Sequence, residues 1–105
     1  MTREEIRTVV NAWADAVSTC DVAALERLAA PALREGVVGR TRAVHQQFGE
    51  IAITLLEVVV DDDAAAWRWR LAGKHVSGER KTIEGVNFQR IREGVVVEHW
   101  TTLAS

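Results

Sequence analysis

Hydrophobic residues recur every three or four positions early in the chain and at alternate positions over much of its second half. The first pattern predicts an amphipathic helix from about Thr2 to Thr19, whose apolar face carries Ile6, Val9, Val10, Trp13, Val17 and Cys20. Thr2 and Glu5 have the spacing of a capping box at the start of this helix. We expect Asp21 to cap a short second helix, and Pro31 to stop it.

The segment that follows Pro31 is less regular. Residues 32–39 are bounded by glycine and are predicted to form either a short edge strand or a loop, and a third helix is predicted from about Arg40 to Phe48. Alternation after Gly49 predicts two strands, Ile51–Val60 and Ala64–His75, joined by a turn of three aspartates. Helices followed by an antiparallel meander predict one α+β domain over residues 1–105, with the helices packed on one sheet face.

The last strands form a predicted hairpin over residues 82–103. We favour a three-residue loop, Arg92-Glu93-Gly94, because glutamate suits the first position of a two-residue type I′ turn poorly. This register pairs Asn87 with His99 and predicts one face that carries Asn87, Gln89, His99 and Thr101. A two-residue loop would instead pair Asn87 with Trp100 and weaken the argument for a polar site.

Several apolar residues fall where an antiparallel sheet with one wet face should be polar. The runs 58–60 and 95–97 are valine throughout, and Phe88 and Trp100 lie on the predicted outer face. We therefore expect a homodimer that buries the outer sheet face. The alternative is that these are isolated surface hydrophobic residues, which are normal in monomers.

Composition narrows the functional classes. The chain has 105 residues, 48% of them hydrophobic and 27% charged, with a net charge of −2, as in ordinary globular domains. The sequence has no basic stripe for nucleic acid and no apolar run long enough to span a membrane, so neither is an expected partner. The single cysteine and the acidic N-terminus favour a cytoplasmic location. The three histidines lack metal-ligand spacing, and we expect no metal and no cofactor.

Several motifs resemble a known family. Trp13 in the first helix, Asp21 at the start of the second, Gly73-Lys74-His75, and the segments 85–91 and 93–100 are similar to the nuclear transport factor 2-like superfamily. Within it, the chain resembles the SnoaL-like polyketide cyclases, which are relatives of ketosteroid isomerase. The resemblance covers nearly the whole chain. It implies a cone-shaped, curved antiparallel sheet, with three N-terminal helices on its concave face and a pocket between them.

The same resemblance implies roles for individual residues. His75 falls where cyclases of this family have a helper histidine, and Asn87 falls where they have an acid/base aspartate. Thr101 stands where an aspartate often follows the final Glu-His-Trp motif. An asparagine cannot accept a proton as a base, so the chemistry at this position differs from the family pattern.

We take His75, Asn87 and His99 as the candidate catalytic cluster. Proton abstraction next to a carbonyl needs a base, for which histidine is suited, and a donor to the developing oxyanion, which an asparagine amide supplies. The predicted substrate-binding residues are Trp13, Phe48, Trp69, Gln89 and Thr101. The alternative is that His99 is a satisfied core histidine and Asn87 a hydrogen-bonded part of the pocket wall. Trp13, Phe48 and Trp69 have the alternative interpretation of ordinary core aromatics.

Two functional hypotheses follow. The first is a cofactor-independent cyclase, isomerase or dehydratase that acts by proton transfer on a small hydrophobic molecule, cyclic or polyketide-like. The second is a ligand-binding or dimerisation module of the same fold without catalysis. The two histidines favour the first hypothesis, and asparagine at position 87 favours the second.

Overall fold

The computed structural model describes residues 1–104 as three helices followed by a four-stranded sheet. The helices are α1 (Arg3–Thr19), α2 (Val22–Leu28) and α3 (Pro31–Gln47), and the strands are β1 (Phe48–Asp61), β2 (Ala64–His75), β3 (Arg80–Arg92) and β4 (Val95–Leu103). The strands form an antiparallel meander in the order β1-β2-β3-β4. The sheet is curved and unclosed, and the helices pack against it, which confirms the predicted α+β class and helical layer.

The predicted boundaries of the first two helices are confirmed. The Thr2 hydroxyl accepts from the Glu5 backbone, and the Glu5 carboxylate accepts from the Thr2 backbone, so the capping box is complete. The α1 helix ends at Thr19, and the next residue, Cys20, has a left-handed conformation with φ of 53° and a half-buried side chain. Asp21 then caps α2 by accepting from the Ala24 backbone.

The prediction for residues 32–39 is wrong, because the whole segment is helical. Pro31 does not only end α2. It also occupies the first turn of α3, where its missing N–H and fixed φ are compatible with a helix. Gly36 and Gly39 lie inside α3, although glycine disfavours helix interiors. Packing of Val37 and Thr41 in the protein interior outweighs that local preference, so α3 starts nine residues earlier than predicted.

The first strand contains a β-bulge, which explains the run of three valines at positions 58–60. Leu55 pairs with Trp69 and Glu57 pairs with Arg68, so Leu56 is an extra residue. The bulge changes the alternation, which allows both Leu55 and Val58 to pack against the core. The valine run at 58–60 therefore contains inward residues flanking one outward residue, Val59.

The predicted hairpin loop is wrong, but the predicted face is right. Arg92 pairs with Val95, so the loop has two residues, and Glu93 adopts the left-handed conformation with φ of 53° despite its side chain. Ile91 pairs with Val96, but Arg90 pairs with Glu98, so Val97 is an extra residue on β4 and forms a β-bulge. The shorter loop and the bulge together move the pairing by two positions. Gln89 faces His99 and Asn87 faces Thr101, so these four side chains still share one face.

The outer face of the sheet carries paired charges and exposed apolar residues. Arg70 forms a salt bridge with Glu84 at 2.9 Å, and Arg90 approaches Glu98 at 3.5 Å. Trp100 is 64% exposed on this face, beside Phe88. Within the described part of the chain, no helix has the length and apolar character needed to cross a membrane.

Candidate functional site

The concave side of the sheet and the helices enclose a cavity of about 210 Å³. Helices α1 and α3 form one wall, and strands β1 to β4 form the other. Most of the lining is aromatic or aliphatic, with a small polar group at one side. The lining residues are Trp13, Ala14, Val17, Val37, Arg40, Thr41, Val44, Ile53, Trp67, Trp69, Leu71, Asn87, His99, Thr101 and Leu103.

Helical spacing explains which side chains reach the cavity from α3. Val37, Arg40, Thr41 and Val44 follow one another at intervals of three, one and three residues, which places them on one face of the helix. Trp13 and Val17, four residues apart, do the same on α1. The polar residues of the sheet wall come from the concave face of β3 and β4, where the hairpin bulge keeps them together.

Two tryptophan side chains fix the orientation of two amide groups in the wall. Trp67 Nε1 donates to Gln89 Oε1 at 3.1 Å, and Trp69 Nε1 donates to Asn87 Oδ1 at 2.9 Å. An indole nitrogen can only donate, so the oxygen of each amide must face the indole. The amide nitrogens of Gln89 and Asn87 therefore point the other way.

This orientation determines the tautomer of His99. Gln89 Nε2 donates to His99 Nδ1 at 3.1 Å, so Nδ1 carries the lone pair. The ring proton of neutral His99 then lies on Nε2, which donates to Thr101 Oγ1 at 3.0 Å. The Thr101 hydroxyl in turn donates to Asn87 Oδ1 at 2.9 Å. We call this set, from Gln89 through His99 and Thr101 to Asn87, the polar chain.

The polar chain and its surroundings hold His99 in the neutral form. Burial disfavours the imidazolium, and the positive charge of Arg40 adds to this, so the pKa of His99 is lowered to about 4. Protonation of Nδ1 would also place an N–H group against the Gln89 amide N–H, so two donors would face each other and their hydrogen bond would be lost. The ring packs against the Trp13 indole, with the ring centroids 5.0 Å apart.

Asn87 differs from the other members of the polar chain because it has an uncommitted donor. Its Oδ1 accepts from both Trp69 and Thr101, whereas Nδ2 makes no hydrogen bond within residues 1–104. No enclosed side-chain nitrogen or oxygen of the described residues lacks a partner, so Nδ2 keeps accessible surface. Since Asn87 lines the cavity, this amide nitrogen is available to a bound molecule.

A glycine in β3 makes room for the Trp69 indole. A Cβ at Gly85 would lie 2.5 Å from Trp69 Cζ2 and 2.9 Å from the carbonyl oxygen of Thr102. Both distances are too short for any larger residue at position 85. Gly85 therefore allows the indole to lie across β3 and reach Asn87.

The structure brings most of the predicted site residues together. Trp13, Trp69, Asn87, His99 and Thr101 line the cavity. Gln89 is fully buried behind His99, where it supports the ring instead of lining the wall. The structure does not test what any of these side chains does with a substrate, and their catalytic and binding roles stay predictions.

The other two predicted residues, His75 and Phe48, lie outside the cavity lining. They pack against each other at the junction of β1 and β2, edge to face, with ring centroids 5.5 Å apart. His75 Nδ1 accepts from the Ser77 backbone at 3.1 Å and contacts the Ser77 hydroxyl at 2.9 Å. Sequence alternation correctly placed His75 on the Trp69 face. It could not show that the strand carries His75 beyond the cavity.

Two polar residues that α3 contributes to the cavity wall were missed in the sequence. Arg40 and Thr41 belong to the α3 stripe that begins at Val37, and residues 32–39 were predicted to be non-helical. The spacing of Val37, Thr41 and Val44 is the signal that identifies this stripe once α3 is recognised as a helix. Among the described residues, no cluster of three histidine, cysteine, aspartate or glutamate side chains has a geometry suited to a metal ion.

The fold and the cavity together define the class of protein. An open antiparallel sheet with helices enclosing a largely apolar cavity on its concave side is characteristic of cone-shaped α+β domains. The chain belongs to the SnoaL-like domain family, whose sequence pattern matches residues 32–99. No curated protein sequence matches the chain significantly.

Solved structures show the same fold at low sequence identity. TsrD from Streptomyces laurentii is 21% identical, with a TM-score of 0.88 over 98% of this chain and 90% of that protein. IdmH from Streptomyces antibioticus, suggested to be a polyketide cyclase, is 22% identical, with a TM-score of 0.85 over 93% and 91%. AclR from Streptomyces galilaeus, suggested to be a hydroxylase, is 16% identical, with a TM-score of 0.88 over 98% and 77%. These similarities define the fold, which hosts more than one chemistry.

Proposed function

We propose that this protein binds a small hydrophobic carbonyl compound, cyclic or polyketide-like, and catalyses its cyclisation, isomerisation or dehydration without a cofactor. The cavity supports this because it is mostly apolar with a few convergent polar groups, as in small-molecule sites generally. Similarity to proteins suggested to be polyketide cyclases supports the same substrate class.

The uncommitted amide nitrogen of Asn87 is the observation that carries the proposal. Trp69 and Thr101 hold the amide oxygen, and Nδ2 keeps accessible surface in a residue of the cavity wall, with no partner among residues 1–104. A donor held in place in a site with little water stabilises negative charge that develops on a carbonyl oxygen. Asn87 would therefore polarise a substrate carbonyl and stabilise the enolate that forms when the α-proton passes to Nδ1 of His99.

His99 is proposed as the neutral partner in this site. Its Nδ1 lone pair can take a proton only after Gln89 Nε2 releases it, and the lowered pKa makes the ring a weak base. The geometry thus supports polarisation by Asn87 more directly than proton abstraction by His99. His75 would reach the substrate only if a bound molecule extended beyond the cavity toward the end of β2.

Carbon-13 NMR of a bound ketone tests carbonyl polarisation directly. The probe is 2-acetylnaphthalene labelled at the carbonyl carbon, and the variants are Asn87→Leu and, as an exposed control on α1, Asn11→Leu. We expect the carbonyl resonance to move downfield when the ketone binds the wild-type protein or the control. The movement should be lost in Asn87→Leu, which keeps an apolar wall that still binds the ring. Binding without a downfield shift in the wild-type protein would contradict the role of Asn87.

A non-catalytic binding module is the second candidate, and a specific observation favours it. Among the described residues that line the cavity, none is a carboxylate, and both nitrogens of His99 are engaged. His75→Ala, His99→Ala and the double variant, assayed for ketone binding and for turnover of polycyclic ketones, separate the two candidates. Unchanged turnover in all three variants would remove both histidines as bases. Binding without any turnover in the wild-type protein would leave the binding module.

We also propose that two copies associate through the outer sheet face in the cytoplasm. Val59, Val86 and Trp100 are exposed there by 57%, 43% and 64%. The same face carries arginine and glutamate side chains of both signs, so an identical copy would meet a surface without a net excess of like charge. The two concave cavities would remain accessible in such a dimer.

A further inference from the structure

Among the described residues that line the cavity, Arg40 is the one with a full positive charge at neutral pH. It lies on the inner stripe of α3, with its backbone on the helix and its exposed side chain at the edge of the cavity. The guanidinium folds back over Gly36, where a Cβ would approach its Nη1 to 3.3 Å. Because Gly36 has no side chain, the Arg40 guanidinium has room to lie along the surface of α3.

Carboxylates neutralise the arginines of the outer face but not Arg40. Arg68, Arg70, Arg90 and Arg92 each have an acidic partner within 4.0 Å. Arg40 has none within residues 1–104, and the described cavity wall contributes no carboxylate either. Burial is the larger cause of the lowered pKa of His99, and the nearby charge of Arg40 lowers it further. The described wall therefore combines apolar surface with an unbalanced positive potential.

These features favour one class of ligand. An apolar molecule with one carboxylate would place its rings against Trp13 and Trp69 and its charge beside Arg40. The guanidinium offers parallel N–H donors that match a carboxylate, and burial of that anion without such a partner is unfavourable. The cavity of about 210 Å³ exceeds the roughly 150 Å³ of an apolar cavity known to bind benzene, which fits a two-ring skeleton.

We propose that Arg40 is an anion-recognition residue and that the substrate of this protein is a hydrophobic cyclic acid, whose carboxylate binds Arg40 at the cavity edge. This inference rests on the proposed function, since it uses the same cavity and names the chemistry of the ligand. It requires a carboxylate on the ligand. The role of Asn87 does not require one, because a neutral carbonyl oxygen accepts from Asn87 equally well.

Two matched probes distinguish recognition of an anion by Arg40 from recognition of a carbonyl group by Asn87. They are 2-naphthoate, which carries the anion, and 2-acetylnaphthalene, which has the same rings and a neutral carbonyl. Binding to each is followed by quenching of the tryptophan fluorescence, since Trp13, Trp67 and Trp69 line the cavity. The variants are Arg40→Gln, Arg40→Lys and the control Arg42→Gln, an exposed residue of α3 that is not part of the cavity wall.

We expect Arg40→Gln to weaken 2-naphthoate binding by about tenfold and to leave 2-acetylnaphthalene binding within about twofold. Arg40→Lys should fall between, because lysine keeps the charge but not the paired donors. Salt should weaken naphthoate binding to the wild-type protein more than to Arg40→Gln. Arg42→Gln should match the wild-type protein with both probes.

The outcomes distinguish this inference from the proposed function. If the ketone binds and naphthoate binds Arg40→Gln as well as it binds the wild-type protein, the role of Arg40 is refuted and the proposed function is unaffected. If neither probe binds the wild-type protein, the cavity is not a site for two-ring compounds and both proposals fall.

Discussion

Protonation of His99 is expected to destabilise the fold in a defined pH window. The folded state holds this ring neutral with a pKa of about 4, because it is largely buried and lies near Arg40, whereas the ordinary value is 6.5. The unfolded chain therefore binds a proton first as the pH falls. The contribution of neutral His99 to the free energy of unfolding is fully present above the unfolded pKa. It is lost as the pH falls through 6.5 toward 4.

The two pKa values give the size of the effect. At about pH 5, proton binding stabilises the unfolded chain by about 2 kcal/mol and the folded chain by about 0.1 kcal/mol or less. The free energy of unfolding should thus fall by about 2 kcal/mol between about pH 7.5 and 5, which lowers Tm by roughly 10 °C for a domain of this size. The loss would approach about 3 kcal/mol below the folded pKa.

Urea denaturation across this window, monitored by circular dichroism, measures the loss. His99→Gln removes the titrating group, so the loss should shrink by about 2 kcal/mol, while His75→Gln serves as the matched control and should keep it. Asp63 does not interfere with the measurement in this pH range. Burial raises the pKa of Asp63, but hydrogen bonds and charges of Arg92 and Arg90 outweigh this, and the net pKa lies below 3.8. An equal loss in wild-type protein and His99→Gln would refute the assignment of a buried, neutral imidazole.

Two further predictions concern packing and assembly. Gly85→Ala should destabilise the fold by about 1–3 kcal/mol and change the fluorescence of Trp69, because the new methyl group overlaps the indole. Gly39→Ala, where a Cβ meets nothing within 4 Å, should instead be stabilising in the same urea assay, and the reverse order would contradict the packing argument. Trp100→Glu should reduce the mass measured by light scattering from two chains to one, and a wild-type protein that already measures as one chain would refute the dimer.

Local signals predicted the helices where their chemistry was unambiguous. The Thr2–Glu5 capping box and the Asp21 cap are complete in three or four residues, so the sequence contains all the information they need. The start of α3 depends on tertiary packing. Pro31 is compatible with both the end of one helix and the first turn of the next, and only burial of Val37 and Thr41 decides between them.

The hairpin shows how a site can be predicted from an incorrect register. The two-residue loop requires a left-handed Glu93, which local preference disfavours, and the bulge at Val97 then restores the alternation. Both deviations serve the same end, which is to bury Val96 and keep His99 on the concave face. The sequence showed which polar and apolar residues belong on each face of the sheet. It did not show the two-residue loop and the bulge by which the backbone places them there.

The directions of the hydrogen bonds could not be predicted, because they depend on two tryptophans from another strand. Trp67 and Trp69 can only donate, and through Gln89 and Asn87 they decide which nitrogen of His99 carries its proton. Sequence reasoning identified the members of the polar chain by parity. Parity left open whether His99 is a base or a hydrogen-bonded histidine of the wall, and the structure engages both of its nitrogens.

Asparagine at position 87 is compatible with the lowered pKa of His99, whose first cause is burial, and with the unbalanced charge of Arg40. A carboxylate at position 87 would stabilise an imidazolium at His99 and balance Arg40, as opposite charges at short range do. Asparagine keeps the contacts to Trp69 and Thr101 but contributes no charge, so the described cavity wall has Arg40 as its net charge. A neutral His99 and the proposed affinity for anions are both consistent with a described wall that carries no carboxylate. A ligand that brings its own carboxylate would supply the negative charge that position 87 does not.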